Sequence, residues 1–391
     1  MKVAIPLLNI CYCLSKSQKT YMEKGDLMIV QIKGNEKFIS LLNQWYHLMI
    51  QQQLIPASQL KKEIDEKINN IEEDQDLLLY YALLDFRYKV LTDALNINPK
   101  SFDKVDSLNS PTDNFLAYYY HFFKAIHATL LSYNNEAIEH YEKAEELLQY
   151  VPDEREKAEF DYRVASFYLH TYQPLEAIKH IMRAKEFFIN SPGYENNIAA
   201  CDNILGAACI DIKQFPQAEE SFNSAINILN KQKEEKLILK VRSNLGLLYA
   251  SQNLSSLAIR HLSEVNNKIS NQFRTIFLEA KERFKLGESS IVEELIKRGL
   301  DICNTIENNE YKHHFMILDK LNKNVSAEIL EETILKGIDY FNKEQLYNYT
   351  QEYTNTLAVK FYEEDNHLKA SNYFYLSHEA NKKKFEKGAL K

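Results

Sequence analysis

The chain has 391 residues, a formal net charge of −8, and only 9 glycines and 8 prolines. This length exceeds one small core and suits two domains or a solenoid, and the scarcity of helix breakers favours an all-α protein over a β-rich one. The acidic balance argues against a general attraction to nucleic acid or to an anionic membrane, so we expect proteins or peptides as partners.

The first 35 residues (1–35) form an N-terminal extension of unknown role. Its apolar stretch at 3–15 resembles the core of a signal peptide, but Pro6 and Asn9 interrupt it and it is too short to cross a bilayer. The chain has 5 cysteines, an odd number, and they are scattered along the sequence. This pattern is typical of free thiols in a reducing compartment, so we predict a cytoplasmic protein.

Residues 36–98 are predicted to form a three-helix bundle. Two amphipathic segments come first, and the second places Leu60, Ile64 and Ile68 at four-residue spacing. A third helix follows an acidic cluster. Beyond it, residues 99–113 bring proline, serine, asparagine and aspartate in quick succession, which predicts a flexible linker.

Small residues recur downstream at a regular interval. Four aligned alanines are separated by 40, 41 and 40 residues, and another small residue precedes each by 12. The alanines are Ala137, Ala177, Ala218 and Ala258, and the earlier positions are Ala125, Ala165, Gly206 and Gly246. Small residues let two antiparallel helices approach closely, as in tetratricopeptide repeats. We therefore predict a tetratricopeptide (TPR) superhelical solenoid over 114–391, with degenerate units at about 273–304 and 311–341.

One amide, Gln75, stands among four carboxylates at the start of the third predicted helix. The carboxylates belong to Glu72, Glu73, Asp74 and Asp76. Either aspartate is a good helix N-cap, and acidic residues favour the partial positive charge of a helix N-terminus. Capping therefore explains the carboxylates, but it leaves the glutamine without a role.

Several segments make the chain resemble the Rap family of response regulator aspartate phosphatases. They are "NQWYHLMI" at 43–50, "EEDQDLLLYYALLDFR" at 72–87, "EREKAEF" at 154–160 and the ending "FEKGALK". Members of this family are tetratricopeptide proteins of quorum sensing, regulated by secreted Phr peptides. The resemblance covers the chain from about residue 38 to its end.

The resemblance implies a catalytic role for Gln75. In the family, the matching glutamine enters the active site of a receiver domain and orients a water molecule for in-line attack on the aspartyl phosphate. An amide suits this task, because it accepts from water and donates to a phosphoryl oxygen without adding negative charge. The receiver supplies the phosphoaspartate and Mg²⁺, so the phosphatase is expected to need no cofactor of its own.

The resemblance also implies a surface that docks the response regulator. Its residues would be Glu73, Asp74, Leu78, Phe86, Phe115 and Asp153. The apolar side chains would pack on a helix face of the receiver while the acidic ones meet its basic rim. At Asp153 the sequence reads "VPDEREKAEF" where the family pattern is nearer "VSDDIEKAEF", so Pro152 is a departure.

A second implied site binds a Phr-type pentapeptide or hexapeptide on the concave side of the solenoid. "IDIKQF" and "NLGLLY" match family segments that bind the peptide, which places the contacts on Asp211 and Asn244. An asparagine amide pairs with a peptide backbone, and an aspartate holds a basic side chain or an N-terminal amine. His314 stands where some members have a second acidic contact. Peptide binding would draw the three-helix bundle onto the repeats, with the linker as hinge.

Two other functions stay open. Some family members share the acidic-glutamine block yet sequester the DNA-binding domain of a transcription factor, so Gln75 does not by itself establish catalysis. A peptide-sensing transcription factor of the same superfamily would need an N-terminal helix-turn-helix, for which residues 1–35 are too short and too apolar. The adjacent His313 and His314 lack ligand spacing, so we expect no metal site.

Overall fold

The computed structural model describes residues 36–68, 74–111 and 113–388, so the predicted N-terminal extension at 1–35 lies outside the described residues. Within those ranges the chain forms α-helices and short 3₁₀ turns and no strand, which confirms the all-α prediction. The helices are α1 (Glu36–Ile50), α2 (Leu54–Ile68), α3 (Gln75–Asp93), α4 (Asp103–Asp106), α5 (Asn114–Leu130), α6 (Asn134–Leu147), α7 (Glu154–His170), α8 (Pro174–Ile189), α9 (Glu195–Asp211), α10 (Phe215–Gln232), α11 (Glu235–Ser251), α12 (Ser255–Lys268), α13 (Phe273–Lys285), α14 (Ser289–Thr305), α15 (Asn309–Asn322), α16 (Ala327–Lys343), α17 (Tyr347–Glu363) and α18 (His367–Gly388).

Helices α1 to α3, here called the three-helix unit, pack together at the start of the described chain. In α1 the fully buried Leu42, Trp45 and Met49 recur at the three- and four-residue spacing of one helix face. Helix α3 is buried on most of its circumference, because it lies between α1 on one side and α5 on the other. Its side chains belong to one hydrophobic core that continues into the repeats as far as Ile204. The three-helix unit is therefore packed on the solenoid in this structure.

The predicted flexible linker at 99–113 is folded over most of its length. A 3₁₀ turn at Pro99–Phe102 leads into α4, and an Asn98 capping box closes its start. Phe102 is fully buried, edge-on to Phe86 with ring centroids 4.8 Å apart. The sequence pattern misled because the serine, asparagine and aspartate residues that favour loops also cap short helices.

Helices α5 to α18 form seven antiparallel pairs, here called the solenoid, in which successive pairs stack side by side. The four aligned alanines are fully buried, as the repeat predicted. A Cβ added to Gly206 would lie 2.6 Å from the Phe222 ring, and one added to Gly246 would lie 2.5 Å from Leu262. These distances confirm that the small residues permit close approach of the helices in a pair. The degenerate units are present as α13 with α14 and α15 with α16.

The solenoid curls until its first pair touches its sixth. The backbone N–H of Asn134 donates to Glu344 Oε2 at 2.8 Å, and Asn135 Nδ2 donates to the carbonyl of Lys343 at 2.9 Å. The Tyr340 hydroxyl reaches the carbonyl of Ser132 at 3.2 Å. These contacts join residues more than 200 positions apart in the sequence. We call these contacts the clasp. When the clasp is closed, the repeats enclose the space on the concave side of the solenoid.

Candidate functional site

The amide of Gln75 is exposed at the first residue of α3. Asp74 is the N-cap: it has extended backbone, and its side chain accepts a hydrogen bond from the Leu77 N–H at 3.1 Å. The structure thus assigns the cap to Asp74 rather than Asp76. Glu72 and Glu73 lie outside the described residues. The position of Gln75 meets the first requirement of its predicted role, because a partner can reach its side chain without unfolding the unit.

The helix that carries Gln75 is held firmly behind it. The Tyr80 hydroxyl donates to Asn43 of α1 at 2.9 Å, and the Tyr81 hydroxyl donates to Asp65 of α2 at 2.7 Å. Lys61 of α2 also forms an ion pair with Asp85 at 2.9 Å. A side chain at the exposed end of such a buried helix is positioned by the core rather than by a mobile loop.

Only part of the predicted docking surface is open in this structure. Asp74, Gln75 and Leu78 share the first turn of α3, and Leu78 is half-buried. Phe115 is also half-buried, and its ring lies 5.8 Å from that of Tyr80 on the same helix. Phe115 therefore lies near the start of α3, and we call these four residues the patch.

Two other predicted docking residues, Phe86 and Asp153, are in different surroundings. Phe86 is only 2 % exposed, so it contacts no partner in this conformation. It lies three helical turns beyond Gln75, where Phe102 of the connecting segment covers it. Asp153 caps α7 through the Arg155 N–H and also holds the Arg155 guanidinium at 2.9 and 3.0 Å. Both residues are engaged within the chain, which sequence matching did not reveal.

A buried carboxyl that the sequence analysis assigned no role joins the three-helix unit to the solenoid. Glu156 of α7 accepts hydrogen bonds from Tyr46 of α1 at 3.0 Å and from Tyr118 of α5 at 2.7 Å. Tyr119 adds a longer contact of 3.4 Å. Burial raises the pKa of Glu156 to about 8, so the protonated form prevails at neutral pH. Glu156 lies within the quoted segment at 154–160, but only the fold shows its partners.

Asp211 and Asn244, the predicted peptide contacts, lie on the concave side of the solenoid. We call this side the channel and define it by five lining residues. They are Arg163, Asn203, Asp211, Lys240 and Asn244, all on the first helices of successive pairs. Asn244 Nδ2 donates to Asn203 Oδ1 at 2.9 Å. The sequence analysis missed Asn203, although its spacing of 41 residues from Asn244 is that of the repeat.

Asp211, the last residue of α9, is exposed to the channel rather than to open solvent. The surrounding protein excludes bulk water from the carboxyl and raises its pKa to about 7, although Lys384 opposes this shift. A cationic partner stabilises the ionised form of such a carboxyl strongly, because ion pairing offsets the desolvation that disfavours its charge. This environment suits the predicted contact with a basic group.

His314 does not line the channel. It is fully buried, and its Nδ1 lies 2.6 Å from the Tyr353 hydroxyl. Its Nε2 faces Glu310 at 3.9 Å, and the other oxygen of Glu310 lies 3.4 Å from His170. The prediction that His314 contacts the peptide directly is therefore wrong for this conformation. The packing of three helices around Glu310, invisible in a single sequence, draws His314 into the core.

Neither a metal-ligand cluster nor a membrane-spanning helix is present among the described residues. They include no group of three or more histidine, cysteine, aspartate or glutamate side chains arranged to hold a metal ion. None of the helices in the described ranges combines the length and apolar character that crossing a bilayer requires. Cys201, Cys209 and Cys303 are free thiols in the core, and Cys11 and Cys13 lie outside the described residues.

Comparisons with known proteins agree on one family. The family model described as response regulator aspartate phosphatase H, N terminal, matches residues 33–93. The chain is 26 % identical to response regulator aspartate phosphatase I of Bacillus subtilis (strain 168), covering 89 % of this chain and 91 % of that protein. It is 29 % identical to regulatory protein RapC of the same organism over 56 % of this chain and 60 % of that one.

Solved structures show the same fold. A Rap protein complexed with competence and sporulation factor matches with a TM-score of 0.76 at 24 % identity, covering 90 % of this chain and 99 % of that one. The apo form of RapI matches with a TM-score of 0.51 at 26 % identity over the same shares. NprR in complex with its cognate peptide NprX matches with a TM-score of 0.68 at 16 % identity, covering 87 % and 98 %.

Proposed function

Because this chain belongs to the Rap family of peptide-regulated TPR proteins, we propose that it binds a phosphorylated response regulator and hydrolyses the aspartyl phosphate of its receiver domain. A short Phr-type peptide bound in the channel inhibits this activity. The relatives named as response regulator aspartate phosphatases support the reaction. The solved Rap protein that holds competence and sporulation factor supports a peptide ligand.

One observation carries the catalytic proposal: the exposed amide of Gln75 at the start of a rigid helix. Its oxygen accepts a hydrogen bond from the attacking water, and its nitrogen donates to a phosphoryl oxygen. Hydrolysis of an acyl phosphate depends mainly on placing the water in line with the leaving group, so one well-positioned neutral amide is sufficient. The receiver brings its own phosphoaspartate and Mg²⁺.

The arrangement of the three-helix unit supports regulation by a change of conformation. In the structure Phe86 is covered by Phe102, and Glu156 is enclosed by tyrosines from α1 and α5. We take this to be the closed state, in which the docking surface is incomplete. The higher TM-score to the peptide-bound Rap protein than to apo RapI agrees with that assignment. Peptide inhibits by binding the closed state more tightly than the open one.

Dephosphorylation of a phosphorylated receiver tests this proposal. The full-length protein is incubated with a ³²P-labelled receiver from the sporulation phosphorelay, and loss of label is followed. We expect Gln75→Ala to lower the rate roughly 100-fold, because water positioning is lost. Gln217→Ala, at an exposed glutamine of α10, is the matched control and should match the wild type. Label that is equally stable with and without the wild-type protein would refute the reaction for that receiver.

Sequestration of a transcription factor is the second candidate. RapC, at 29 % identity, is named a regulatory protein rather than a phosphatase. Asp74 and Asp76 beside Gln75 also suit a basic DNA-binding domain. A gel-shift assay with the unphosphorylated competence activator separates the two functions. If the protein removes the activator from DNA and Gln75→Ala does so equally well, binding rather than hydrolysis is its function.

A further inference from the structure

An excess of positive charge lies beside the channel, where two arginines share a single carboxylate. Arg87 Nη2 donates to Glu159 Oε1 at 2.8 Å, and Arg163 Nε donates to the same oxygen at 2.7 Å. Arg87 comes from α3 of the three-helix unit, whereas Arg163 and Glu159 belong to α7. One negative charge therefore faces two positive ones at the junction of the unit and the solenoid.

Arg87 has unused hydrogen-bond capacity. Its side chain is fully buried, yet Nε and Nη1 have no hydrogen-bond partner within the described residues. Buried guanidinium nitrogens are almost always paired, because an unpaired charged donor retains its full desolvation cost. The surplus of donors therefore indicates that this charge cluster can stabilise a further acceptor.

Lys240 of α11 adds a third cation. It is exposed to the channel, and no ion pair joins it to an acidic side chain in the described part of the chain. Loss of bulk water in the channel, together with the charges of Arg163 and Arg87, lowers its pKa. Three cations thus stand against the single carboxylate of Glu159, in a protein whose net charge is −8. We call Arg87, Arg163 and Lys240 the basic cluster.

We infer that the basic cluster binds the C-terminal carboxylate of the peptide ligand, with Lys240 and Arg163 as the contacting residues and Arg87 reinforcing their field. This inference rests on the proposed peptide regulation and specifies the direction of the peptide. A free peptide always carries a carboxylate at its C-terminus, whatever its sequence. Charge-assisted hydrogen bonds from arginine and lysine are the strongest contacts available to such a group.

The spacing of the channel residues fits a short extended peptide. The bond between Asn203 and Asn244 aligns α9 with α11, and the first helices of successive pairs run in the same direction. Lys240 precedes Asn244 by one helical turn, and Asp211 follows Asn203 by about two turns. Because the two asparagines lie level with each other, these offsets add, and Lys240 and Asp211 stand about 18 Å apart along the helix axes. Five extended residues span roughly 17 Å. The peptide C-terminus therefore lies at Lys240 and its basic or amino end at Asp211, with the asparagines between.

Peptides in carboxylate and amide form test this inference. Pools of random pentapeptides and hexapeptides are synthesised with free C-termini and as C-terminal amides, and peptides retained by the full-length protein are identified by mass spectrometry. A retained sequence is then titrated in both forms by calorimetry against the wild type, Lys240→Gln and Lys240→Arg. Lys297→Gln, at an exposed lysine on α14, is the matched control.

We expect the wild type and Lys297→Gln to bind the carboxylate form about tenfold more tightly than the amide. Lys240→Gln should lose most of this preference and Lys240→Arg should keep it. Equal affinity of the wild type for both forms would overturn the inference while leaving peptide binding intact. Stabilisation by inorganic phosphate alone, lost in Lys240→Gln, would also overturn it and assign the cluster to a free anion. A failure of this inference can be told apart from a failure of the phosphatase proposal, because these titrations contain no response regulator.

Discussion

Tyr46 of α1 donates a hydrogen bond of 3.0 Å to Glu156 of α7, across the boundary between the three-helix unit and the solenoid. This bond and its neighbour from Tyr118 depend on a carboxyl that is buried among phenols. The protonation state of this carboxyl therefore contributes to the stability of the closed arrangement. The same boundary carries the ion pair between Arg87 and Glu159 and a hydrogen bond from Asn197 Nδ2 to the carbonyl of Ile50 at 2.9 Å. Several polar contacts therefore link the unit that holds Gln75 to the repeats that line the channel.

The pKa of about 8 for Glu156 predicts that stability falls as pH rises. The folded state holds a proton that the unfolded state releases near pH 4.5, so this residue's contribution is complete below that pH and is lost as pH rises through about 8. We expect the free energy of unfolding to fall by roughly 2–4 kcal/mol between pH 5 and pH 8.5 from this residue. Urea denaturation across that range measures it.

Glu156→Gln is the control for this pH dependence, because the amide keeps the shape of the side chain and does not titrate. The variant should show a flatter dependence of stability on pH than the wild type. Identical pH profiles for the two proteins would mean that Glu156 is already ionised in the folded state.

Two glycines in the second helices of pairs should differ strongly in their response to alanine. A Cβ at Gly299 would lie 2.1 Å from the Phe315 ring, whereas one at Gly337 meets its nearest neighbours, including Ile317, at 3.2 Å. Gly299→Ala should destabilise by roughly 1–3 kcal/mol through overpacking. Gly337→Ala should cost far less than Gly299→Ala, because the ends of the neighbouring side chains need to move only a few tenths of an ångström and alanine favours helix. Thermal denaturation measures the change in stability of each variant. Equal changes in the two variants would contradict the packing argument.

Phe102 should contribute more to stability than a linker residue would. Its ring packs on Phe86 and stacks with His127 at 5.5 Å. Phe102→Ala should cost roughly 3–5 kcal/mol of unfolding free energy, as for other buried phenylalanines. Lys100→Ala, at an exposed position in the same turn, is the control. A loss below about 1 kcal/mol for Phe102→Ala would show that the segment is loosely packed in solution.

Glu344 should hold the clasp closed. Its carboxylate accepts the Asn134 N–H across 210 residues of sequence. Glu344→Ala removes a charge-assisted bond of roughly 1–3 kcal/mol, which shifts the closed-to-open ratio about tenfold or more toward open. Small-angle scattering should show a larger radius of gyration for this variant. Glu363→Ala, at an exposed glutamate near the end of α17, should scatter like the wild type. An unchanged radius for Glu344→Ala would remove the clasp as a determinant of closure.

The sequence by itself determined the helical class, the repeat and the position of Gln75 at the start of a helix. These properties are local: helix propensity, a 40-residue period of small side chains, and a capping aspartate depend on neighbours within a few turns. The family match at 72–87 added the proposed role of the amide. The helix bounds near these landmarks were therefore predictable.

The tertiary structure decided which side chains are free to act. Phe86 is buried because a connecting segment folds over it, and His314 is withdrawn because Glu310 and Tyr353 surround it. Asn203 gains a role only when its helix lies beside that of Asn244. Burial and pairing between distant segments depend on how the superhelix curls, and periodicity in one sequence specifies neither that curl nor the charges it brings together.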